Sequence, residues 1–109
     1  MQGSLIKRIQ GWYVANCDSE WEHGQGIEIS TLDNPGWLVR IQLAGTELAT
    51  KHLEEIRYFA GGKDDPEDRN WFIVRVQREP LPTGPVFEGI GGPEYLERIL
   101  EEFLKFAES

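Results

Sequence analysis

Between Asn16 and Trp37 the chain reads NCDSEWEHGQGIEISTLDNPGW, which holds its only cysteine, one of two histidines, two of four tryptophans and five carboxylates. Several chemistries would draw on such residues. A thiolate nucleophile at Cys17 needs nearby positive charge or a helix N-terminus. Here Asp18, Glu20 and Glu22 surround it, and it follows a helix C-terminus, so the field opposes the anion. A divalent metal would suit Asp18, Glu20, Glu22 and His23 by type. Their spacing matches neither a calcium loop nor HExxH, and Trp21 stands in their midst. Paired carboxylates for acid–base work could come from Glu20, Glu22 and Asp33, but nothing fixes their separation. With only His23 and His52, and no serine or cysteine motif to support them, a catalytic triad is not indicated. Gly89-Ile90-Gly91-Gly92-Pro93 precedes a helix, yet no Gly-Lys-Ser/Thr follows and Glu94 would repel a phosphate. It reads as a tight strand-to-helix turn. The segment therefore points away from catalysis and toward binding. Trp21, flanked by acids, is either a lid over the first helix or an exposed anchor of the kind that forms interface hot spots.

The whole chain restricts function further. Its 109 residues make one domain, 1–109, and 39% hydrophobic with 11% aromatic content predicts a packed core. A single cysteine forms no internal disulfide. The N-terminal residues place Lys7 and Arg8 inside an amphipathic pattern, unlike a secretory signal, and no apolar run approaches the roughly 20 residues of a membrane span. The expectation is a soluble cytoplasmic protein that binds neither membrane nor nucleic acid. A net charge of −8 repels phosphate backbones and suits a basic protein partner. No cofactor is expected.

These residues must be positioned by a small set of elements. Leu5, Ile6, Ile9, Trp12 and Tyr13 form one helical stripe, with Ser4 as N-cap, and the helix should stop near Asn16–Asp18. Gly26–Leu32 alternates with period two. Asn34-Pro35-Gly36 fits a type II turn with Gly36 at positive φ, and Trp37–Leu43 returns as the second arm of a hairpin. Leu53–Phe59 and Trp71–Arg78 read as further strands, and Val86–Ile90 as a short fifth. Between them Gly61–Asn70 is a polar loop carrying Asp64, Asp65, Glu67 and Asp68, and Pro80, Pro82 and Pro85 prevent regular pairing. Pro93 opens the last helix at its first position, with Tyr95, Leu96, Ile99, Leu100, Phe103 and Leu104 on the buried stripe. The predicted fold is α+β: an antiparallel meander of four to five strands flanked by an N-terminal and a C-terminal helix, both on one face. Trp12 and Trp37 belong to the core. The edge strand leaves monomer and homodimer both open.

Taken in order, Trp12-Tyr13, CDSEWEH from Cys17 to His23, Gly26-Ile27, TLDNPGW from Thr31 to Trp37, LAGT from Leu43 to Thr46, and FEGIGGP from Phe87 to Pro93 resemble the immunity protein 53 family. The resemblance runs from about Ile9 to Ala107, and the two blocks CDxxWEH and TLDNPGW at this separation carry its specificity. It implies a small cytoplasmic α+β protein, encoded beside a bacterial polymorphic toxin, that binds and neutralises that toxin and is not an enzyme. A basic nuclease-type effector fits the charge. The expected contacts are Asp18, Glu20, Trp21, Glu22 and Asp33, with Asp64, Asp65, Glu67 and Asp68 as a secondary set. Members sometimes carry a rhodanese-like label, which makes a small thiol- or metal-dependent enzyme using Cys17, His23 and the nearby acids the alternative. Ser19 stands where glycine is common in the family, and the Gly61–Asn70 and Pro80–Pro85 segments look longer than usual.

Overall fold

In a computed structural model that describes residues 4–23, 26–61, 69–78 and 84–109, five antiparallel strands form one sheet with two helices on one face. The elements are α1 (Leu5–Asn16), a short 3-10 turn (Trp21–His23), β1 (Ile27–Leu32), β2 (Gly36–Gln42), β3 (Ile56–Phe59), β4 (Trp71–Gln77), β5 (Val86–Gly91) and α2 (Leu96–Glu108). The α+β class, the antiparallel pairing and the two terminal helices agree with the sequence reading. The order across the sheet is β1-β2-β5-β4-β3. The strands meander from β3 through β4 to β5, and β5 then inserts beside β2 instead of leaving β3 there. Burial selects this arrangement. Val86 and Phe87 on β5 are buried among strands on both sides, whereas four-residue β3 leaves Arg57 and Tyr58 exposed at an edge.

Period-two alternation decides which side chains face the helices. Val39 and Ile41 on β2, Phe72 and Val74 on β4, and Phe87 on β5 meet Ile99, Leu100, Phe103 and Leu104 of α2 in one core. Burying these side chains is the main stabilising term. Phe103 sits edge-on to Trp12 at 4.9 Å and to Phe87 at 5.1 Å, joining α1, α2 and the sheet. The close approach of α2 depends on glycine in β5. A methyl on Gly89 would run into Ile99 Cγ2, and one on Gly91 would lie 3.2 Å from Ile99 Cδ1. The expected turn at 89–93 is thus strand as far as Gly91, followed by a turn in which Tyr95 N–H donates to the Gly92 carbonyl at 3.0 Å. Pro93 lies in that turn, and α2 starts at Leu96 behind Tyr95, so Pro93 is not the first helical residue. Trp37 Nε1 donates to the Pro93 carbonyl at 2.9 Å and ties the turn to β2.

Ser4 caps α1 as expected, its hydroxyl accepting from the Lys7 amide at 3.2 Å. The β1–β2 corner differs from a type II turn, because Gly36 already belongs to β2 and does not adopt positive φ. Glycine fits there for another reason, since a side chain at Gly36 would strike the Gly91 carbonyl of neighbouring β5.

Among the described residues no helix covers the other face of the sheet. Cross-strand partners there form rows, and one runs Ser30, Leu38, Ile90, Ile73 and Arg57 across β1, β2, β5, β4 and β3. The next runs Glu28, Arg40, Glu88 and Arg75. Glu88 is held in that second row by Arg40 Nε at 3.3 Å and by Arg75 Nε and Nη2 at 3.1 and 2.9 Å.

Candidate functional site

The acidic segment after α1 is a folded corner. Asp18 Oδ1 accepts from the amides of Glu20 and Trp21, both at 2.9 Å. Glu22 reaches back, its Oε1 accepting from the Asp18 amide at 2.9 Å and its Oε2 from the Ser19 amide at 2.8 Å. The two carboxylates thus satisfy four amides reciprocally, in the manner of a capping box. These bonds favour the ionised forms. The Trp21 amide, then that of Glu20, holds the Asp18 carboxyl below its ordinary value. The Glu22 carboxyl is lowered chiefly by its own backbone amide, against the opposing cost of burial, and further by the amides of Asp18 and Ser19 and by nearby His23. Both acids are fixed negative charges. Ser19, between them, sits at φ 79°, in the left-handed region that glycine occupies without strain.

The corner rests on Trp21. Its ring is 4% exposed and packs against Trp12 at 5.5 Å, edge-on, and Tyr13 at 5.4 Å, while Nε1 donates to the Gln42 carbonyl at 3.2 Å. Of the two readings of Trp21, lid and anchor, the structure selects the lid, because the indole fills the junction of α1 and the end of β2. It offers a partner no apolar surface and instead fixes where Asp18, Glu20 and His23, all exposed, project.

The remaining expected contacts are not gathered here. Asp33 is exposed in the turn after β1, whereas the corner abuts the β2 end at Gln42, opposite the start of β1. The length of β1, roughly 17 Å over its six residues, lies between them. Asp64, Asp65, Glu67 and Asp68 lie outside the described residues. Their anchors, Phe59 and Trp71, pair at the Asp33 end of the sheet on its far side.

The other chemistries find little to build on. Cys17 is exposed and its Sγ donates to the Tyr13 carbonyl at 3.3 Å. His52 is exposed on a different loop and bonds Glu54 at 3.0 Å. Among the described residues no group of three or more His, Cys, Asp or Glu side chains is placed to hold a metal ion, and no helix is long and apolar enough to cross a membrane.

The sequence reading missed the Arg40–Glu88–Arg75 clasp. A sequence signal existed, since all three lie in the polar phase of their strands, but only the register of β5 between β2 and β4 brings them together.

Among known protein families, the one described as immunity protein 53 matches residues 6–108. No curated protein and no protein of solved structure matches the chain.

Proposed function

Because the chain belongs to the immunity protein 53 family, and so is an immunity protein whose partner is a toxin, we propose that it neutralises a basic, nuclease-type toxin domain by binding it, without catalysis of its own. The observation that carries this reading is the corner at Asp18–Glu22. Two carboxylates are held ionised by backbone donors on a buried tryptophan, beside exposed Glu20, in a chain of net charge −8. Fixed carboxylates can occupy the positions that phosphates take on a nuclease, and the surrounding charge speeds encounter with a basic surface. Trp21 contributes by positioning Asp18 and Glu20. Asp33, and the secondary set at Asp64–Asp68, would meet the toxin only if its footprint extends along the sheet to that end.

The test is co-expression with the toxin encoded beside this protein, followed by co-purification. Rescue of growth and a stable complex are expected. Failure of both would overturn the reading. Neutralisation of a toxin that cuts neither DNA nor RNA would overturn the nuclease part alone. Within the complex, raising salt from about 50 to about 500 mM should slow association strongly and leave dissociation little changed. An association rate indifferent to salt would show that the charge is not steering.

A further inference from the structure

We propose that the helix-free face of the sheet is a self-association surface, pairing two copies of this chain about a two-fold axis that runs parallel to the strands between β2 and β5. The inference goes beyond the toxin reading and does not depend on it.

The pattern of the two rows is self-complementary. From β1 to β4 the charged row reads Glu28, Arg40, Glu88, Arg75: negative, positive, negative, positive. Reversed, it reads with every sign opposite. A two-fold along the strands reverses strand order and preserves height along each strand, so it superposes a row on its own reverse. Placed between β2 and β5, the axis sets Arg40 over Glu88 of the second copy and Glu28 over its Arg75, and each contact occurs twice. The same operation sets Leu38 over Ile90 of the second copy in the apolar row, again twice. Leu38 and Ile90 are half-buried in the single chain, and neither belongs to the core against the helices. Half-buried Leu38 and Ile90, beside buried Ile73 and rimmed by charge on a face that no described helix covers, have the make-up of an interaction surface.

Other occupants fit less well. The charged row balances, and Arg57 adds a positive charge that pairs with Glu55 at 3.4 Å, so this face offers a basic toxin nothing to steer it. Arg57 lies on β3, outside the overlap. Two sheets packed face to face adopt a small angle between their strands, which aligned sandwich packing accommodates. Four strands of each copy overlap, a footprint about 19 Å by about 20 Å. That is the size of a small reversible interface, so the association is concentration-dependent.

Sedimentation of the full chain tests this directly. The mass should rise with concentration toward twice the 12.5 kDa of one chain. Leu38→Lys, whose side chain is on the bare face, should raise the dissociation constant by about 100-fold or more while far-ultraviolet circular dichroism stays that of the parent. Glu28→Lys places like charges over Arg75 of the second copy, and Arg75→Glu places them over Glu28. Each alone should stay monomeric, and an equimolar mixture should form the mixed dimer. A parent chain that remains a monomer up to about 1 mM overturns the proposal. Folded Leu38→Lys that associates like the parent also overturns it. If the two charge variants both fold and their mixture does not associate, the axis is refuted.

Discussion

Replacing Ser19 with glycine should stabilise this protein. Ser19 sits at φ 79° between two amides that Asp18 and Glu22 leave no freedom to move, because Glu22 Oε2 binds the Ser19 amide at 2.8 Å. A left-handed backbone costs a residue with a Cβ about 1–2 kcal/mol. Glycine removes that cost and adds back part of it by loosening the unfolded chain, by about 0.5–1 kcal/mol. The net gain is about 0.5–1 kcal/mol, or a rise in melting temperature of roughly 2–8 °C for a domain of this size. Calorimetry and urea unfolding of parent, Ser19→Gly and Ser19→Ala measure it. Alanine carries a Cβ and so keeps the strain, which separates backbone from hydroxyl. The urea midpoint should move up for glycine with the slope unchanged, and should stay or fall for alanine. A glycine variant no more stable than the parent, or an alanine variant equally improved, would refute the argument from φ.

Other outcomes follow from the same geometry. Trp21→Ala should cost about 3–5 kcal/mol of stability, as expected when a buried indole is removed, whereas Trp21→Phe should cost less, chiefly through the lost bond to the Gln42 carbonyl. Loss of toxin affinity in a Trp21→Phe variant that keeps its melting temperature would show a direct contact instead. Asp18 and Glu22 have carboxyls lowered from ordinary values of 3.8 and 4.5, so the stability they contribute is present above those values and lost as pH falls through the lower folded ones. The urea midpoint should therefore drop on acidification from about pH 5 to about pH 2, and less steeply in Asp18→Asn/Glu22→Gln. An identical slope in the double variant would place the acid sensitivity elsewhere. Gly89→Ala should destabilise by about 1–3 kcal/mol, since the added methyl meets Ile99 and forces α2 away from β5. Unchanged thermal unfolding would mean that α2 shifts without cost.

Elements were legible where periodicity is strong. Ile9 and Trp12 declare the buried side of α1, and Phe72 and Val74 against Ile73 and Arg75 declare the faces of β4. The start of α2 was not, because Pro93 has the preferred chemistry of a first helical residue but is held in a turn by the bond between Tyr95 and Gly92. Strand order was hidden for a different reason. Nothing local to β5 says that it will lie between β2 and β4, since that depends on burying Phe87 from both sides. The candidate site was half visible. Its residue types were plain, and the Asp-to-Glu spacing of 18 to 22 is close to a capping box. The acids around Trp21 hid its burial, because a charged neighbourhood in sequence says nothing about where the indole points.

Position of β5 in the sheet also sets the order of events during synthesis. β5 is made after the other four strands of this sheet yet lies at its centre, and the β1–β2 hairpin is complete at Gln42 while β5 begins at Val86. At about 5–20 residues per second, the hairpin waits roughly 2–9 s with one side of β2 unpaired. The β3–β4 pair waits as well, more briefly. A nascent chain of this protein is two unjoined sheet fragments until Val86–Gly91 emerges from the ribosome, and a message truncated before Val86 leaves β2 and β4 without the strand that joins them and without the α2 half of the core.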